Sequence, residues 1–178
     1  GEFSPDGKMP ASGGADGLVI LWDRPTGMQK HKLTGHVNGV PRLAFSPDGS
    51  ILVSASHDCT IRLWDPKSGR EMPQSVRHAG EMKGLALSPD GKLLAASGSE
   101  KVIRVWHAAT GRAVDSLVGL GEPPAGMVFT PDGKSLVSTS GARELIVWDV
   151  AKRKETTRIM VSGQSLTPPV LSPDGKVV

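Results

Sequence analysis

The chain has 178 residues, a formal net charge of +3 and one cysteine, and its sequence pI is about 9.2. Positive charge this sparse does not make a nucleic-acid patch, a lone cysteine excludes an internal disulfide and a cysteine-built zinc site, and no apolar run approaches the ~18 residues that a membrane span needs. Cys59 follows Asp58 in what reads as a tight, exposed turn; an exposed lone thiol suits a reducing compartment, and the expected location is cytoplasmic.

A repeat organises everything else. The phrase Ser/Thr-Pro-Asp-Gly begins at Ser4, Ser46, Ser88, Thr130 and Ser172, each 42 residues after the last, and Trp22, Trp64, Trp106 and Trp148 keep the same step. A fixed period of this size marks a stacked repeat. There is no tyrosine, and the aromatics fall on two repeat positions: Phe3, Phe45 and Phe129 before the turn, and the four tryptophans. Aromatics confined to repeat positions point to a core, not to a binding platform.

In chain order, the opening Gly-Glu-Phe departs from the pattern, because Glu2 stands where the other units have Ala44, Ala86, Val128 and Val170. Three strands follow the first turn over residues 8–34. In the next unit "VPRLAFS" (40–46) predicts a strand and "SPDGS" its turn. Pro presets φ there, Asp bonds its own backbone and Gly takes the positive φ. "ILVSAS" (51–56) is apolar almost throughout and predicts a strand buried on both faces. "HDCT" turns into "IRLWD" (61–65), a third strand, and "PKSG" turns again with Gly69 as the left-handed residue. "REMPQSVR" (70–77) predicts a more polar fourth strand at an edge, where Pro73 is tolerated. Residues 81–118 and 124–161 repeat the scheme. Between them "GLGEPPAG" (119–126) neither follows a buried strand nor opens a helix, so its loose glycine pattern is no dinucleotide loop. In the last unit Arg153 stands where Gly27, Gly69 and Gly111 sit, which predicts a turn of another shape. "SLTPPVLS" (165–172) supplies one further strand. Four short antiparallel strands per unit indicate a radial β architecture.

The stretch "TGH…AFSPDGSILVSASHDCTIRLWD" (34–65) resembles a WD40 repeat, one blade of a β-propeller, and the match covers essentially the whole chain. The resemblance implies an all-β, WD40-type β-propeller with four 42-residue repeats in a single WD-repeat domain over 1–178. Blade strands in that family are lettered a to d outward from a central channel. The expected blades are a partial one of strands b, c and d over 8–34, full ones over 40–76, 81–118 and 124–161, and a spare strand a over 165–172. The resemblance also implies a buried tetrad in each blade: His in the d–a loop, Ser or Thr on strand b, Asp in the b–c turn and Trp on strand c. His36, Ser54, Asp58 and Trp64 match it. The first blade retains Ser12, Asp16 and Trp22. The third has His78, Glu100 and Trp106 with Ala96 in the Ser position, and the fourth keeps Ser138 and Trp148 with Leu120 and Ala142 elsewhere, so its polar network is expected to be lost.

The family usually builds rings of six to eight blades, so four units imply half a ring. An open half-ring exposes unpaired edges. Two chains about a two-fold axis would close it, the segment Ser165, Leu166, Thr167, Pro168, Pro169, Val170 and Leu171 of each completing the first blade of the other. The expectation is therefore an eight-bladed ring in a homodimer. The alternatives are a monomeric or irregular assembly, a four-bladed monomer, a fragment of a larger propeller protein, or a chain made to study propeller assembly with no partner but itself.

A Ser/His/Asp set invites a hydrolase reading, but catalysis needs an oxyanion hole and a pocket beside the nucleophile. The tetrad reads instead as a buried brace. No nucleophile–base pair, metal site or phosphate cradle stands out, and no catalytic residue, metal or cofactor is expected. The expected function is a non-catalytic protein–protein interaction scaffold. Its partner-binding face would be built from d–a loops and b–c turns: Val37, Asn38, His57, Ala79, Glu81, Ser99, Lys101, Glu122 and Arg143. A basic surface for nucleic acid, using Lys30, Lys32, Lys152, Arg153 and Lys154, is the less favoured reading.

Overall fold

The computed structural model describes residues 1–73, 76–78, 80, 82–140, 143–162 and 169. Ala79, Glu81, Ala142, Ser165, Leu166, Thr167, Pro168, Val170 and Leu171 of the sequence expectations lie outside the described residues; Pro169, the one described member of the terminal segment, is buried. All regular structure among the described residues is β. Taken from its sequence as one domain, the chain divides into two compact units, Gly1–Met82 and Lys83–Val178. Each holds two antiparallel sheets.

The first unit opens with a sheet of β1 (Glu2–Phe3), β2 (Pro10–Gly13), β3 (Val19–Trp22) and β4 (Gln29–Leu33) in that order. The first blade is thus four-stranded, not three-stranded over 8–34. Glu2 pairs with Ala11 and Phe3 with Pro10, because backbone pairing needs no apolar side chain and the Glu2 substitution does not prevent it. The second sheet runs β5 (Arg42–Phe45), β6 (Leu52–Ala55), β7 (Thr60–Asp65) and β8 (Arg70–Glu71), with β9 (Val76–Arg77) also on β7. The fourth strand expected over 70–77 is therefore split. Met72 still donates its N–H to Leu63, but Pro73 has none to offer. β6 is fully buried, as its unbroken apolar run predicts. Ala11, Val19, Leu21, Leu33, Val40, Leu52 and Trp64 form this unit's core.

In the second unit β10 (Met82–Leu87), β11 (Leu93–Gly98), β12 (Val102–His107) and β13 (Ala113–Val118) form one sheet. The other comprises β14 (Pro124–Phe129), β15 (Ser135–Ser140), β16 (Glu144–Asp149) and β17 (Lys154–Met160). Its core includes Ile103, Leu117, Leu120, Phe129, Leu136, Ile146 and Trp148.

The repeated turn explains the repeated phrase. Ser46 donates its hydroxyl to Asp48 at 2.6 Å and accepts the N–H of Ile51 at 2.9 Å, while Asp48 accepts the N–H of Ser50. Gly49 closes the turn at φ 69° with an N–H to the Ser46 carbonyl. The same bonds recur at Ser4, Ser88 and Thr130. These hydrogen bonds from Ser46 and Ser50 lower the Asp48 carboxyl to about 2.

A second device also repeats. Where the third strand pairs with the fourth, the register slips beside the tryptophan: Leu21 faces His31 but Trp22 faces Gln29, and the same slip occurs at Trp106 and Trp148. The residues bulged out are Lys30, Val114 and Thr156. A bulge of this kind re-aims one side chain and steepens the local twist.

Candidate functional site

The tetrad positions of the second blade meet. Trp64 lies on β7 and Ser54 on the adjacent β6; the indole N–H donates to the Ser54 hydroxyl at 2.8 Å. Ser54 in turn lies 2.7 Å from His36 Nε2, and His36 Nδ1 lies 3.0 Å from Asp58. Asp58 also accepts the Val37 N–H and both the N–H and hydroxyl of Thr60. Every bond is satisfied when His36 is neutral with its proton on Nδ1: indole to hydroxyl, hydroxyl to Nε2, Nδ1–H to carboxylate. Burial holds His36 below its usual pKa, outweighing the Asp58 carboxylate beside it. Burial pushes Asp58 up, yet it ends well below the usual carboxylate range because Thr60, Val37 and His36 all donate to it. The Ser54 hydroxyl, with no exposed surface and its partners already engaged, offers no substrate a nucleophile.

The other blades keep parts of this brace. Trp22 donates to Ser12 and Trp148 to Ser138, each at 2.9 Å. Among the described residues Asp16 accepts only the Leu18 N–H, within its own turn. His78 and Trp106 are buried, but Glu100, a methylene longer than the Asp it replaces, pairs with Arg104 at 2.9 Å on the following strand. Leu120, in the histidine position of the fourth blade, joins the apolar core.

Beside the remaining Ser138–Trp148 link, that fourth blade has a polar cluster of its own. Glu144 is 8% exposed and lies 2.6 Å from Arg158 Nη1 on β17; Ser140 donates to its other oxygen. Arg158 reaches on to the Gly119 carbonyl at 2.8 Å and to Glu155. One guanidinium therefore ties the outer strand to the preceding loop. The repeat pattern hid this pair, because Glu144 occupies the position of Thr60 and Arg158 has no counterpart arginine.

The left-handed turn residues bring two further corrections. Arg153 adopts φ 59° and donates its N–H to Asp149 at 2.8 Å, the same turn as Gly27, Gly69 and Gly111, so the turn keeps its shape and the side chain bears the strain. A neighbour makes this possible. At Gly69 an added Cβ would stand 2.7 Å from the His31 ring. Two repeats on, Asp115 takes the place of His31 and pairs with Arg153 at 2.8 Å. Cys59, expected exposed, is half-buried at φ 65° in its b–c turn.

In the first unit the loop after β4 and the turn after β6 are stitched together. His57 donates its N–H to the Gly39 carbonyl and Ser56 its hydroxyl to the Asn38 carbonyl, each at 2.9 Å. Above this stitch Val37 is 87% exposed, Asn38 is exposed and His57 is half-buried. In the second unit Ser99, Lys101, Glu122 and Arg143 are all exposed, Arg143 at φ 63°. Of the basic residues, Lys152 pairs with Asp149 and Arg153 with Asp115, which leaves little uncompensated charge at that turn. Among the described residues, no three His, Cys, Asp or Glu side chains stand close enough together to hold a metal ion. Among the described residues no helix is long and apolar enough to cross a membrane.

The family profile "WD domain, G-beta repeat" matches residues 2–23, 27–65 and 72–107. No curated protein matches the chain.

Proposed function

The chain belongs to the WD-repeat family, and from that premise we propose that it is a non-catalytic scaffold that binds a protein partner through its loop and turn residues. WD-repeat domains generally bind proteins and typically act without catalysis. The observation that carries the reading is the union of a closed brace with an open tip. His36 and Asp58 are buried and spent on each other, while Val37, held by its own N–H to Asp58, points an apolar side chain into solvent. A rigid loop that exposes an apolar group loses little entropy on binding. The test compares proteins retained by the immobilised wild-type chain, by Val37→Asp and by Lys154→Glu on β17 of the other unit. A partner lost on Val37→Asp and kept on Lys154→Glu is expected; equal retention by all three would overturn the assignment to this loop.

The second reading is self-assembly by blade completion into a two-chain, eight-bladed ring. It is favoured by the shortness of β1, which pairs at two positions, whereas β10 and β14 each run six residues. Beyond β1 a cleft of about 280 Å³ lies between Gly13 and the Val40–Leu43 backbone, where a longer first strand would continue. Glu2 and Phe3 already occupy part of that seat, so the donated strand would extend β1 or displace it. Sedimentation equilibrium should give twice the 18.7 kDa chain mass. A particle of one chain's mass at all concentrations would exclude the ring.

A further inference from the structure

The chain holds one asparagine, Asn38, and a glycine follows it. Asn38 lies in the loop after β4, exposed beside Val37. Its side chain is folded back over the next peptide bond, so that the Gly39 N–H donates to Asn38 Oδ1 at 2.8 Å. Gly39 itself is buried against Ala15 and the His57 ring, and its carbonyl accepts the His57 N–H at 2.9 Å. These contacts hold a main-chain nitrogen against the amide group that carries Asn38 Cγ. A bond between that nitrogen and that carbon closes a succinimide ring, and reacting groups held in place react faster than free ones.

The aspartate–glycine pairs of the same chain are held differently. Gly7, Gly17, Gly49, Gly91 and Gly133 each give their N–H to the carbonyl three residues back. Asp6, Asp48, Asp90 and Asp132 each accept the hydroxyl that opens their turn. Both partners of those pairs are thus committed elsewhere. Among the described residues Gly39 gives its N–H to no main-chain carbonyl, only to the side chain it would attack. Glycine has no β-carbon to hinder that approach, and the exposure of Asn38 lets water in and ammonia out.

We propose that Asn38–Gly39 is a self-modification site of the folded chain, where the amide is lost through a succinimide. The Gly39 nitrogen bonds to Asn38 Cγ, the Cγ–Nδ2 bond breaks, and the Gly39 proton leaves with the side-chain nitrogen as ammonia. Water then adds to either carbonyl of the ring and gives aspartate or isoaspartate, with no change of oxidation state. Either product sets a new carboxylate beside Val37. In the isoaspartate the chain runs through the former side chain, and the carbonyl that accepts the Ser56 hydroxyl at 2.9 Å becomes a carboxylate. The modification is a property of the chain alone and does not rest on the scaffold reading. The test incubates the full chain at mildly alkaline pH, folded and in urea, with a zero-time sample as reference. Trypsin releases residues 33–42, and their mass and electron-transfer fragments report the lost amide and the iso linkage. The folded chain should accumulate both products at a rate close to that of the unfolded one. In Gly39→Ala the added β-carbon would stand 3.4 Å from Ala15 Cα, an ordinary contact, and the reaction should slow about tenfold because its rate follows the geometry of approach. Asn38→Gln, which must close a larger ring, should keep its amide. A folded wild-type chain that keeps its amide, an unchanged rate in Gly39→Ala, or aspartate without isoaspartate would each overturn the proposal.

Discussion

Gly69 and Gly27 share one backbone conformation and differ only in what surrounds them. Their φ values are 69° and 67°, yet a methyl group at 69 meets the His31 ring while one at 27 meets nothing within 4 Å. Gly27→Ala should therefore cost only the left-handed strain, about 1 kcal/mol, and Gly69→Ala clearly more, measured by urea unfolding. The double variant His31→Asp with Gly69→Arg copies the Asp115–Arg153 pair into the first unit. It should be more stable than the sum of its single variants predicts, by about 1 kcal/mol. At His36 the prediction concerns pH. Its folded pKa lies below the unfolded value of 6.5, so the unfolded chain takes up the proton first. The contribution is complete above that value and is lost as pH falls through the folded pKa. Melting temperatures taken from pH 7.5 to 5 should fall more steeply in wild type than in His36→Gln.

Among elements, the three serine–tryptophan links should rank by what each leaves stranded. Ser54→Ala orphans a buried indole and a buried imidazole, and each orphan costs about 1–3 kcal/mol. Ser138→Ala orphans the Trp148 indole alone, and Ser12→Ala exposes a Trp22 that water already reaches. Chemical denaturation should give losses in that order. In the turns, Ser46→Ala removes the leading cause of the low Asp48 value, so the carboxyl should titrate well above the value of about 2 seen with Ser46 present, as followed by carboxyl NMR. Much of this was legible in the sequence. The period gave the strands, and the words His36, Ser54, Asp58 and Trp64 gave the brace of the second blade. What stayed hidden came from pairs that do not recur. Glu144 and Arg158 find each other across two strands, and Arg153 is explained only by the residue that replaces His31 thirty-eight positions before it. The short β1 was missed for a related reason: side chains set the repeat pattern, whereas pairing is a property of the backbone.

For the whole molecule, the division into Gly1–Met82 and Lys83–Val178 sets two sheets in each compact unit, and each unit has its own core between them. If the ring proposed above forms, folding is coupled to association, and the melting temperature should rise with protein concentration by mass action. A melting temperature constant over a hundredfold range would speak against it. One consequence of the repeated turn reaches beyond stability. Every one of these turns begins with Ser-Pro or Thr-Pro, the dipeptide that proline-directed kinases modify. Yet the Ser46 and Ser88 side chains are 2% and 1% exposed, and each hydroxyl is held between its own aspartate and a backbone amide. Phosphate could reach those two oxygens only on a nascent or locally melted chain, so in the finished blade the Ser46 and Ser88 signals are sealed shut.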